Sequence, residues 1–410
     1  MGGLTVALIG GGRWGRTHGS ILAQLSDRVG RVLWVSRHER EAVDAFVGNL
    51  PGARDRFTLV ESLEAALALR LDAAIVVTRA SDHAETAGAL LRASVPTLVE
   101  KPLALSAGTA RGLVELAAIR NVPLFIGLHL LTAPFLHHFL ALSTGRPLAA
   151  VELEWLDPEQ EIRHGVDKTA NLTTHKVDEI MPHLWSMLQL VDDCGKLQAD
   201  KVKPLARGAV EVEVAMSCAR GTLRFGRRAP GRRRWMRLEF RDGGYAELDF
   251  TIEPGSIILD GVQQASFESD GKFGPLAVEL AGFLDMVRLR PDVSSFPQTA
   301  SRCIGSVELA EAVRAQLLLQ EAGAVADRLA RGGGMRDPDV LAWVVDNIAP
   351  LLDVREPRSE SARAELADII VDALEAATTS AHVNDPKLHS IITAIRQSDF
   401  FGCLTKERPI

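Results

Sequence analysis

Short apolar, β-branched segments alternate with helix-like segments along the first 125 residues. Near-continuous apolar character of this kind is typical of parallel strands that are buried on both faces. The strand-like segments cover residues 5–10, 32–36, 73–78, 97–100 and 124–128. Leucines and alanines at helical spacing lie between them, over residues 62–69 and 83–93. The alternation predicts a doubly wound parallel α/β domain over residues 1–125.

The hydrophobic pattern changes after about residue 145. Strand-like alternation covers residues 149–156, 210–218, 221–225, 234–240 and 245–252, and Asp242-Gly243-Gly244 has the composition of a hairpin turn. Helical patterns cover residues 171–191, 275–288 and 300–330. Strands in succession followed by helices indicate an α+β domain over residues 126–330, with a mainly antiparallel, open sheet.

A third, helical segment is predicted for residues 331–410. Arg331-Gly332-Gly333-Gly334 is typical of a helix end, and Asp337-Pro338 and Asp385-Pro386 are typical of helix starts. Apolar residues at helical spacing form a stripe of Leu366, Ile369, Ile370, Ala373 and Leu374. We expect this small helical extension to pack against the main body; a surface for an oligomer or another partner is the alternative.

Composition narrows the class of protein. The 410 residues are 47% hydrophobic and 24% charged, as in a soluble globular protein, with a net charge of −7. That charge argues against general affinity for nucleic acid or an anionic membrane. No apolar run reaches membrane-spanning length, and a first strand beginning by residue 4 leaves no room for a signal peptide. Four scattered cysteines (Cys194, Cys218, Cys303, Cys403) favour reduced thiols and a cytoplasmic location.

A glycine-rich turn follows the first predicted strand and precedes a helix-like segment. Gly10, Gly12 and Gly15 fit the G-x-G-x-x-G pattern. In that pattern the first glycine permits a tight turn, the second lets a pyrophosphate approach the backbone, and the third lets helix and strand pack closely. The N–H groups at the helix start then attract an anion. The context favours a dinucleotide site over an ordinary glycine-rich turn.

Two further segments carry candidate chemistry. Glu100-Lys101-Pro102 directly follows a predicted parallel strand, where the ligand crevice of a doubly wound sheet lies. A lysine there is placed to hold a substrate hydroxyl, although a surface Glu–Lys pair is the simpler interpretation. In the second segment Glu179 and His183 are one helical turn apart, the arrangement expected of a general base. Convergence with His175 on a metal, or a helix start rich in histidine without a catalytic role, are the alternatives.

The end of the second strand bears on the choice of cofactor. An acidic residue at this place in a dinucleotide-binding sheet accepts hydrogen bonds from the ribose diol, whereas an arginine accommodates a 2′-phosphate. Ser36 and Arg37 occupy the place, and Arg37 is suited to pair with a dianionic phosphate or to stack on adenine. We therefore expect NADP(H), with NAD(H) as the alternative. Glu39 competes for the role, and a solvated loop charge is the other interpretation of Arg37.

These motifs, in this order, resemble the glucose–fructose oxidoreductase/inositol dehydrogenase (Gfo/Idh/MocA) family of NAD(P)-dependent oxidoreductases over roughly residues 3–330. The matching segments are the glycine turn, residues 74–78 followed by His83, residues 99–104 with Glu-Lys-Pro, residues 123–127, and the acid-x-x-x-histidine pair at Glu179–His183. The resemblance implies a Rossmann domain, then an α/β domain whose open sheet often forms an oligomer interface. It implies catalytic roles for Lys101, Glu179 and His183, with His183 as acid/base.

The resemblance also implies a set of binding residues. The expected cofactor-binding residues are Gly10, Gly12, Arg13, Trp14, Gly15, Ser36, Arg37, Thr78, His83, Glu100 and Lys101. His129 and Asp178 are expected at the substrate, and no metal is expected. The chain departs from the family's pattern at Glu179, where aspartate is common (Asp178 is adjacent), at Arg79 in place of proline, and at Ser186 in place of a second aspartate. Residues 128–135 lack the family's Arg-Phe pair and predict a more apolar wall of the substrate pocket.

Eight arginines between Arg220 and Arg237 are compatible with a nucleic-acid patch. Little aromatic interleaving and a Pro-Gly turn favour a solvated hairpin, or a sheet face that pairs with acids across an oligomer contact.

From the motifs and the family resemblance together, we expect a homo-oligomeric (dimeric or tetrameric) oxidoreductase. It moves a hydride between a nicotinamide and a carbinol or carbonyl carbon of a small polar, sugar-like or polyol-like substrate. Alternatives are an imine or ketone reductase of secondary metabolism, which the apolar wall suits, and a non-catalytic nucleotide-binding protein on the same fold.

Overall fold

The computed structural model describes residues 3–163, 166–192, 196–265, 267, 274–289, 296–352, 359–379 and 386–406. The chain forms two compact units. The first comprises Met1–Leu142, Trp185–Leu190 and Phe267–Glu311, and the second comprises Ser143–Leu184, Val191–Ser266 and Ala312–Ile410. Each unit is described by itself. The sequence-based division at residues 125 and 330 stays a prediction.

The first unit is built on a six-stranded, wholly parallel sheet. Its strands are β1 Leu4–Ile9, β2 Val29–Val35, β3 Phe57–Val60, β4 Ala73–Val76, β5 Thr97–Glu100 and β6 Leu124–Gly127. Their spatial order is β3-β2-β1-β4-β5-β6, the order of dinucleotide-binding sheets, in which the direction of winding reverses between β1 and β4. Ligands of such sheets bind outside the carboxyl ends of the strands at this reversal.

Helices of the first unit alternate with its strands, as the sequence predicts. They are α1 Arg13–Gln24, α2 Arg40–Gly48, α3 Leu63–Leu67, α4 His83–Arg92, α5 Ala107–Arg120 and α6 Pro134–Ala141, joined later in the chain by α8 Pro275–Leu289 and α9 Ala300–Cys303. The core brings apolar side chains of β1, β2 and β4 together with Leu280, Phe283 and Leu284 of α8. Helix α8 therefore completes the hydrophobic core of the parallel sheet, although it lies some 150 residues after β6 in the sequence.

The second unit contains an eight-stranded, mixed sheet. Its strands are β7 Leu148–Leu156, β10 Gln198–Pro204, β11 Val210–Ala215, β12 Arg220–Gly226, β13 Arg233–Phe240, β14 Tyr245–Asp249, β15 Ser256–Leu259 and β16 Val262–Gln263. A separate hairpin pairs β8 Gln160–Arg163 with β9 Val166–Thr169. The order is β10-β11-β12-β7-β13-β14-β15-β16, and all neighbours are antiparallel except β12 and β7. These two sheets confirm the predicted fold class, with a parallel pair added to the expected antiparallel sheet.

Two predicted helices differ from those in the structure. The helix expected over residues 171–191 is α7 Lys176–Val191, which continues through Pro182. The helix expected over residues 300–330 is two helices, α9 and α10 Gly305–Ala330, separated at Ile304. Strand β3 and helix α2 lie between predicted elements, where the apolar runs are too short to predict either of them. No helix in the described part of the chain is long and apolar enough to cross a membrane.

The last segment of the chain is helical, as predicted, with α11 Pro338–Ile348, α12 Glu360–Thr379, α13 Pro386–Arg396 and α14 Asp399–Lys406. Asp337 caps α11 by accepting hydrogen bonds from the N–H groups of Asp339 and Val340; the predicted cap Asp385 lies outside the described residues. A hydrophobic cluster joins these helices to Leu172, Ala322 and Val325 of the same unit. The extension therefore packs against the main body. Four residues of the predicted stripe are buried there, whereas Ile369 is 36% exposed.

Candidate functional site

In the glycine turn between β1 and α1, two of the three glycines leave no room for a side chain. Gly10 has φ +127°, and a Cβ there would lie 2.5 Å from the carbonyl oxygen of Val77. A Cβ on Gly15 would lie 2.0 Å from the carbonyl oxygen of Gly10. A Cβ on Gly12, in contrast, would meet nothing within 4 Å. The first and third glycines are thus required by packing, and the second faces open space of the kind a pyrophosphate needs.

Hydrogen bonds hold the turn in place. The indole Nε1 of the fully buried Trp34 donates to the carbonyl oxygen of Gly10 at 2.9 Å. The N–H of Gly10 donates to the carbonyl oxygen of Val35 at 2.9 Å, which ties the turn to β2. Arg16 in α1 donates to the carbonyl oxygen of Gly11 at 3.0 Å. Because these bonds come from strand and helix, the turn is preorganised before any ligand binds.

The start of α1 is suited to an anion. No side chain caps the helix at Gly12, and its first turn contains no acidic residue. The N–H groups of such a helix start, together with the positive end of its dipole, attract negative charge. Arg13 is exposed, and Trp14 is 43% exposed. The turn and the helix start together therefore present the arrangement that binds a dinucleotide phosphate.

The end of β2 brings the predicted cofactor-selecting residues next to the glycine turn. Ser36 is buried, and its hydroxyl accepts a hydrogen bond from the N–H of Glu39 at 3.3 Å. The same hydroxyl would lie 2.1 Å from a Cβ on Gly11, so Ser36 packs directly on the turn. Arg37 is exposed, whereas Glu39 is half-buried with its carboxylate 3.5 Å from Nη1 of Arg16. Both candidate residues thus stand beside the turn, and the charge of Glu39 is offset by a cation.

His83 connects the ends of two strands. It is 2% exposed, with Nδ1 2.7 Å from the carbonyl oxygen of Pro102 and Nε2 3.1 Å from that of Thr78. Burial lowers the pKa of His83, although both carbonyl contacts favour the protonated ring. The ring therefore links Thr78, two residues after β4, to the cis Lys101–Pro102 peptide after β5.

Glu100, the last residue of β5, belongs to a buried polar cluster below Lys101. Its Oε2 accepts a hydrogen bond from the N–H of Lys101 at 3.2 Å, and its Oε1 lies 3.3 Å from Nε2 of His18 in α1. Burial opposes ionisation of Glu100, but His18, Lys101 and His129 outweigh it and lower the carboxyl pKa. An ionised Glu100 at the base of the strand end holds Lys101 at the carboxyl edge of the sheet, where ligands bind.

His129 joins this cluster from the segment after β6. Burial lowers its pKa to about 4, against the effect of Glu100 and with that of Lys101. The ring is half-buried and is neutral at physiological pH. Leu128, Leu130, Leu131, Ala133 and Phe135 around it are buried in the core. The expectation that residues 128–135 form an apolar pocket wall is therefore wrong: these apolar side chains are buried, and the polar members of the segment are His129 and Thr132.

Sequence reasoning missed two buried ionisable groups of this unit. His18 is fully buried, and its Nδ1 lies 2.9 Å from the carbonyl oxygen of Trp14. Glu279 in α8 is also buried, and burial and the neighbouring Glu100 raise its pKa well above the usual range. The available signal was a polar residue at a core-facing helical position. Nothing in the sequence alone shows that both positions face Glu100.

In the second unit, α7 presents His183 to the sheet. The imidazole stacks on the indole of Trp155 in β7, with ring centroids 4.5 Å apart and an angle of 10° between the planes. The guanidinium of Arg234 also lies over the Trp155 ring, 3.9 Å from its centroid. Arg234 and Trp155 are cross-strand partners on β13 and β7. The plane of the His183 ring is thus set by an aromatic side chain that the sequence analysis did not single out.

The two acids of α7 pair with arginines. Glu179 Oε2 lies 2.5 Å from Nη2 of Arg227, which also donates to the carbonyl oxygen of Thr174 at 2.7 Å. Asp178 is buried, with its Oδ2 3.2 Å from Nη1 of Arg314. His175 is buried and its Nδ1 accepts from the N–H of Val177 at 3.2 Å; burial keeps its pKa well below the usual range. The described residues bring together no group of three or more potential metal ligands.

Arginines of the 220–237 segment pair with acids of their own unit. On the more exposed face of the sheet Arg224 pairs with Glu211 at 2.8 Å, Arg233 with Glu154, and Arg237 with Glu247. Arg228 and Arg234 pair with Asp346 and Asp157 at 2.9 and 2.6 Å. The cations are therefore largely neutralised within the chain, which disfavours the nucleic-acid interpretation. Lys101 lies in the first unit, and Glu179 and His183 lie in the second.

Comparison of the sequence with known proteins finds a family match in the first part of the chain. Residues 4–128 match the family model GFO_IDH_MocA, described as an oxidoreductase family with an NAD-binding Rossmann fold. Myo-inositol dehydrogenase Hyg17 of Streptomyces leeuwenhoekii is 33% identical over 127 residues, which are 30% of this chain. The match spans about a third (36%) of that relative's length.

Solved structures extend the likeness in fold beyond the matched domain. UDP-N-acetylglucosamine 3-dehydrogenase GnnA from Acidithiobacillus ferrooxidans has a TM-score of 0.62 at 23% identity, over 77% of this chain and 98% of its own. GenD2 from gentamicin A biosynthesis, solved in complex with NAD, has a TM-score of 0.61 at 20% identity, over 77% of this chain and 94% of its own. At these identities the likeness shows the fold. Together with the family match it confirms the resemblance: residues 4–128 form an NAD-binding Rossmann domain of the Gfo/Idh/MocA oxidoreductase family.

Proposed function

We propose that this protein is an NADP(H)-dependent oxidoreductase acting on a CH–OH group of a small polar, sugar-like or polyol-like substrate. The observation that carries the proposal is the carboxyl edge of the parallel sheet. There a preformed glycine turn, Thr78, Lys101 and His129 follow four adjacent strands, β1, β4, β5 and β6. A glycine turn and a lysine at that edge support the proposal, because a doubly wound sheet binds its cofactor there.

Binding of the dinucleotide is assigned to the chain's own groups. The N–H groups at the start of α1 and the open space at Gly12 accept the pyrophosphate. Ser36 and Arg37 are assigned to the adenosine ribose, and Thr78, His83 and Glu100 to the shape of the cleft. Arg37 favours a 2′-phosphate, and the pairing of Glu39 with Arg16 removes much of the repulsion that a bare carboxylate would exert on that phosphate.

The bound nicotinamide supplies the acceptor or donor for a hydride at the carbinol carbon. In the oxidising direction, His183 accepts the proton that leaves the substrate hydroxyl, while the ammonium of Lys101 stabilises the negative charge developing on that oxygen. The Trp155 stack fixes the ring plane of His183, and the Arg227 ion pair fixes Glu179 on the same helix. Reduction of a carbonyl uses the same groups in reverse.

Relatives support the substrate class. A myo-inositol dehydrogenase and a UDP-N-acetylglucosamine 3-dehydrogenase are named for oxidation of a polyol and of a sugar ring. A neutral His129 and the carboxylate of Asp178 are suited to hydrogen bonds with substrate hydroxyl groups. The burial of the apolar residues around His129 removes the observation that favoured imine reduction.

We also propose a homo-oligomer, a dimer or a tetramer, that uses the open face of the eight-stranded sheet. Trp235, Tyr245 and the arginine–glutamate pairs on that face are only half-buried in the single chain. Further partners are limited in this proposal to the small-molecule substrate, and the free thiols of Cys218, Cys303 and Cys403 support the proposed cytoplasmic location.

Calorimetry tests the cofactor assignment. The wild type should bind NADPH at least tenfold more tightly than NADH, and Arg37→Asp should reverse or abolish the preference while binding of NADH is retained. Arg13→Asp is a control for charge alone, because it weakens both cofactors through the pyrophosphate without changing their ratio. An Arg37→Asp variant with the wild-type ratio would refute the assignment.

A substrate screen tests the reaction class. The wild type is assayed with NADP⁺ against myo-inositol, UDP-N-acetylglucosamine and a panel of polyols and aldoses, with the matching keto compounds and NADPH in the other direction. Turnover of one of these compounds is the expected result. Tight NADPH binding without turnover of any compound would favour a non-catalytic nucleotide-binding protein.

A further inference from the structure

The C-terminal helices reach the segment of the second unit that leads into α7. Lys176, the first residue of α7, is completely buried. Its ammonium Nζ lies 3.1 Å from Oδ2 of Asp346 in α11 and donates to Oε1 of Glu321 in α10 at 2.6 Å. It also donates to the carbonyl oxygen of Gly208 at 2.9 Å. One end of the helix that bears Glu179 and His183 is thus fixed by a carboxylate of the extension.

Asp346 is shared between α7 and the segment after β12. Both of its oxygens accept hydrogen bonds from Arg228, at 2.9 Å each. Burial opposes its ionisation, but Arg228 and Lys176 outweigh burial and hold the pKa of this carboxyl well below its usual range. Arg227, the neighbour of Arg228, forms the ion pair with Glu179. The ionised carboxylate of Asp346 therefore binds both Lys176 at the start of α7 and Arg228 after β12, and both of these segments adjoin Glu179.

Two further contacts hold the segment that leads into α7. Nη1 of Arg363 in α12 donates to the carbonyl oxygen of Ala170 at 2.5 Å, and the guanidinium is almost completely buried. Leu172 lies in the hydrophobic cluster formed by the C-terminal helices, together with Trp343 and Ile348. The neighbouring Asn347 donates to Oε2 of Glu321 at 2.6 Å, which holds the second partner of Lys176. Residues 170–176 are therefore held by the extension at three separate points.

These buried contacts are formed by charged groups, although apolar side chains fill a buried volume at a lower cost in free energy. Removing charges from water carries a large penalty, which ion pairs recover only when their geometry is fixed and their hydrogen bonds are complete. Lys176, Arg228 and Asp346 meet that condition. Because its hydrogen bonds are directional, such a cluster fixes where each chain segment lies, which an apolar contact does not.

We propose that the C-terminal extension is a positioning element for α7, in which Asp346 and Arg363 fix residues 170–176 and thereby the placement of Glu179 and His183. Asp346 and Arg363 are positioning residues, since they touch neither cofactor nor substrate in this scheme. The proposal rests on the proposed role of His183 for its catalytic consequence. Its structural consequence, a defined environment of the His183 ring, is measurable without any substrate.

The test compares Asp346→Asn with Asp368→Asn in the full-length protein. Asp368 lies in α12, is largely exposed and pairs with Arg336 on the surface, so the control removes the same charge from the same extension. The protein is labelled with ¹⁵N in its histidine rings, and the signal of His183 is identified by its loss in His183→Asn. Circular dichroism and thermal melting select a temperature at which each variant is folded, and NADPH binding counts the active molecules.

In Asp346→Asn we expect a changed ring signal and a changed titration curve of His183, with kcat at least tenfold lower and NADPH affinity within threefold of wild type. Asp368→Asn should leave all four unchanged. A folded Asp346→Asn variant with the ring signal of the control overturns the proposal. If Asp346→Asn does not fold, Arg363→Gln decides in its place. It removes the contacts of the Arg363 guanidinium with Ala170 and Glu159 and leaves the cluster of Lys176, Arg228 and Asp346 in place. An unchanged His183 signal there has the same meaning.

The two proposals fail separately in this experiment. If His183→Asn keeps the wild-type kcat, the proposed catalytic role is wrong, while the ring signal still decides whether the extension positions α7. If His183→Asn is inactive and Asp346→Asn has the ring signal and kcat of wild type, only the positioning proposal is wrong.

Discussion

At the scale of single residues, the glycine turn makes the strongest demand on the sequence. Gly15→Ala would place a methyl group 2.0 Å from the carbonyl oxygen of Gly10, and helix α1 must shift to relieve the clash. We expect NADPH affinity to fall about 30-fold, equivalent to ~2 kcal/mol of binding free energy. Calorimetry measures the change.

Gly108 in α5 provides the matched control, since its Cβ would meet nothing within 4 Å. Gly108→Ala should retain NADPH affinity and raise the free energy of unfolding by up to about 1 kcal/mol, because alanine is the better helix former. Equal affinities of the Gly15→Ala and Gly108→Ala variants would show that the turn does not hold the cofactor in this manner.

His129 predicts a pH dependence of stability at the same scale. Its folded-state pKa of about 4 lies below the ordinary histidine pKa of 6.5, so the unfolded chain binds the proton first as the pH falls. The folded state is therefore progressively destabilised from above pH 6.5 down to pH 4, by at most about 3 kcal/mol. Urea unfolding between pH 7.5 and pH 4.5 should show a shallower loss of stability in His129→Gln than in wild type. Parallel curves would mean that burial does not depress the pKa of this ring.

At the scale of elements, strand β7 holds a ring on helix α7. Trp155→Leu removes the stack under His183 while it keeps an apolar side chain at the buried position. Aromatic stacking of this kind contributes about 0.5–1.5 kcal/mol, so we expect kcat to fall about tenfold with NADPH affinity unchanged. Steady-state kinetics and calorimetry check the two values.

Trp235 in β13 provides the comparison for this variant. It is half-buried on the other face of the sheet and contacts Arg233. Trp235→Leu should leave kcat within twofold of wild type, because Trp235 lies on the face of the sheet opposite to Trp155. A Trp155→Leu variant as active as Trp235→Leu would show that the ring plane of His183 is set by other groups.

How far the sequence predicts the elements depends on how local their causes are. Strand β5 has its predicted bounds, and the glycine turn its predicted place, because buried parallel strands and glycine turns leave local patterns. Strand β3 was missed since it lies at the edge of the sheet and only two of its four residues, Phe57 and Val60, are buried, so it lacks the continuous apolar pattern of the inner strands. The apolar residues after β6 were assigned to a pocket because hydrophobicity alone does not distinguish a pocket wall from a core.

The candidate site shows the same limit. Lys101, Glu179 and His183 are recognisable from short motifs, but Trp155, Arg227 and His18 contribute through packing across the fold. Trp155 is 28 positions from His183 in the sequence, and Arg227 is 48 positions from Glu179. Nothing in the residue pattern indicates those pairs, because they depend on how β7 and the segment after β12 pack against α7.

At the scale of the whole molecule, a Rossmann domain of the Gfo/Idh/MocA oxidoreductase family is combined with a mixed-sheet unit that carries four additional helices. The GnnA and GenD2 structures each cover 77% of this chain, so about a quarter of it has no counterpart in either. The central claim of the proposed function is that both Lys101 and His183 are required for hydride transfer.

The most direct test is the rate of substrate-dependent NADP⁺ reduction at 340 nm by wild type, Lys101→Met and His183→Asn, each normalised to its bound NADPH. We predict that each substitution lowers kcat at least a hundredfold, the scale of lost acid/base or oxyanion assistance, while cofactor binding stays within threefold. A wild-type rate in either variant would contradict the claim.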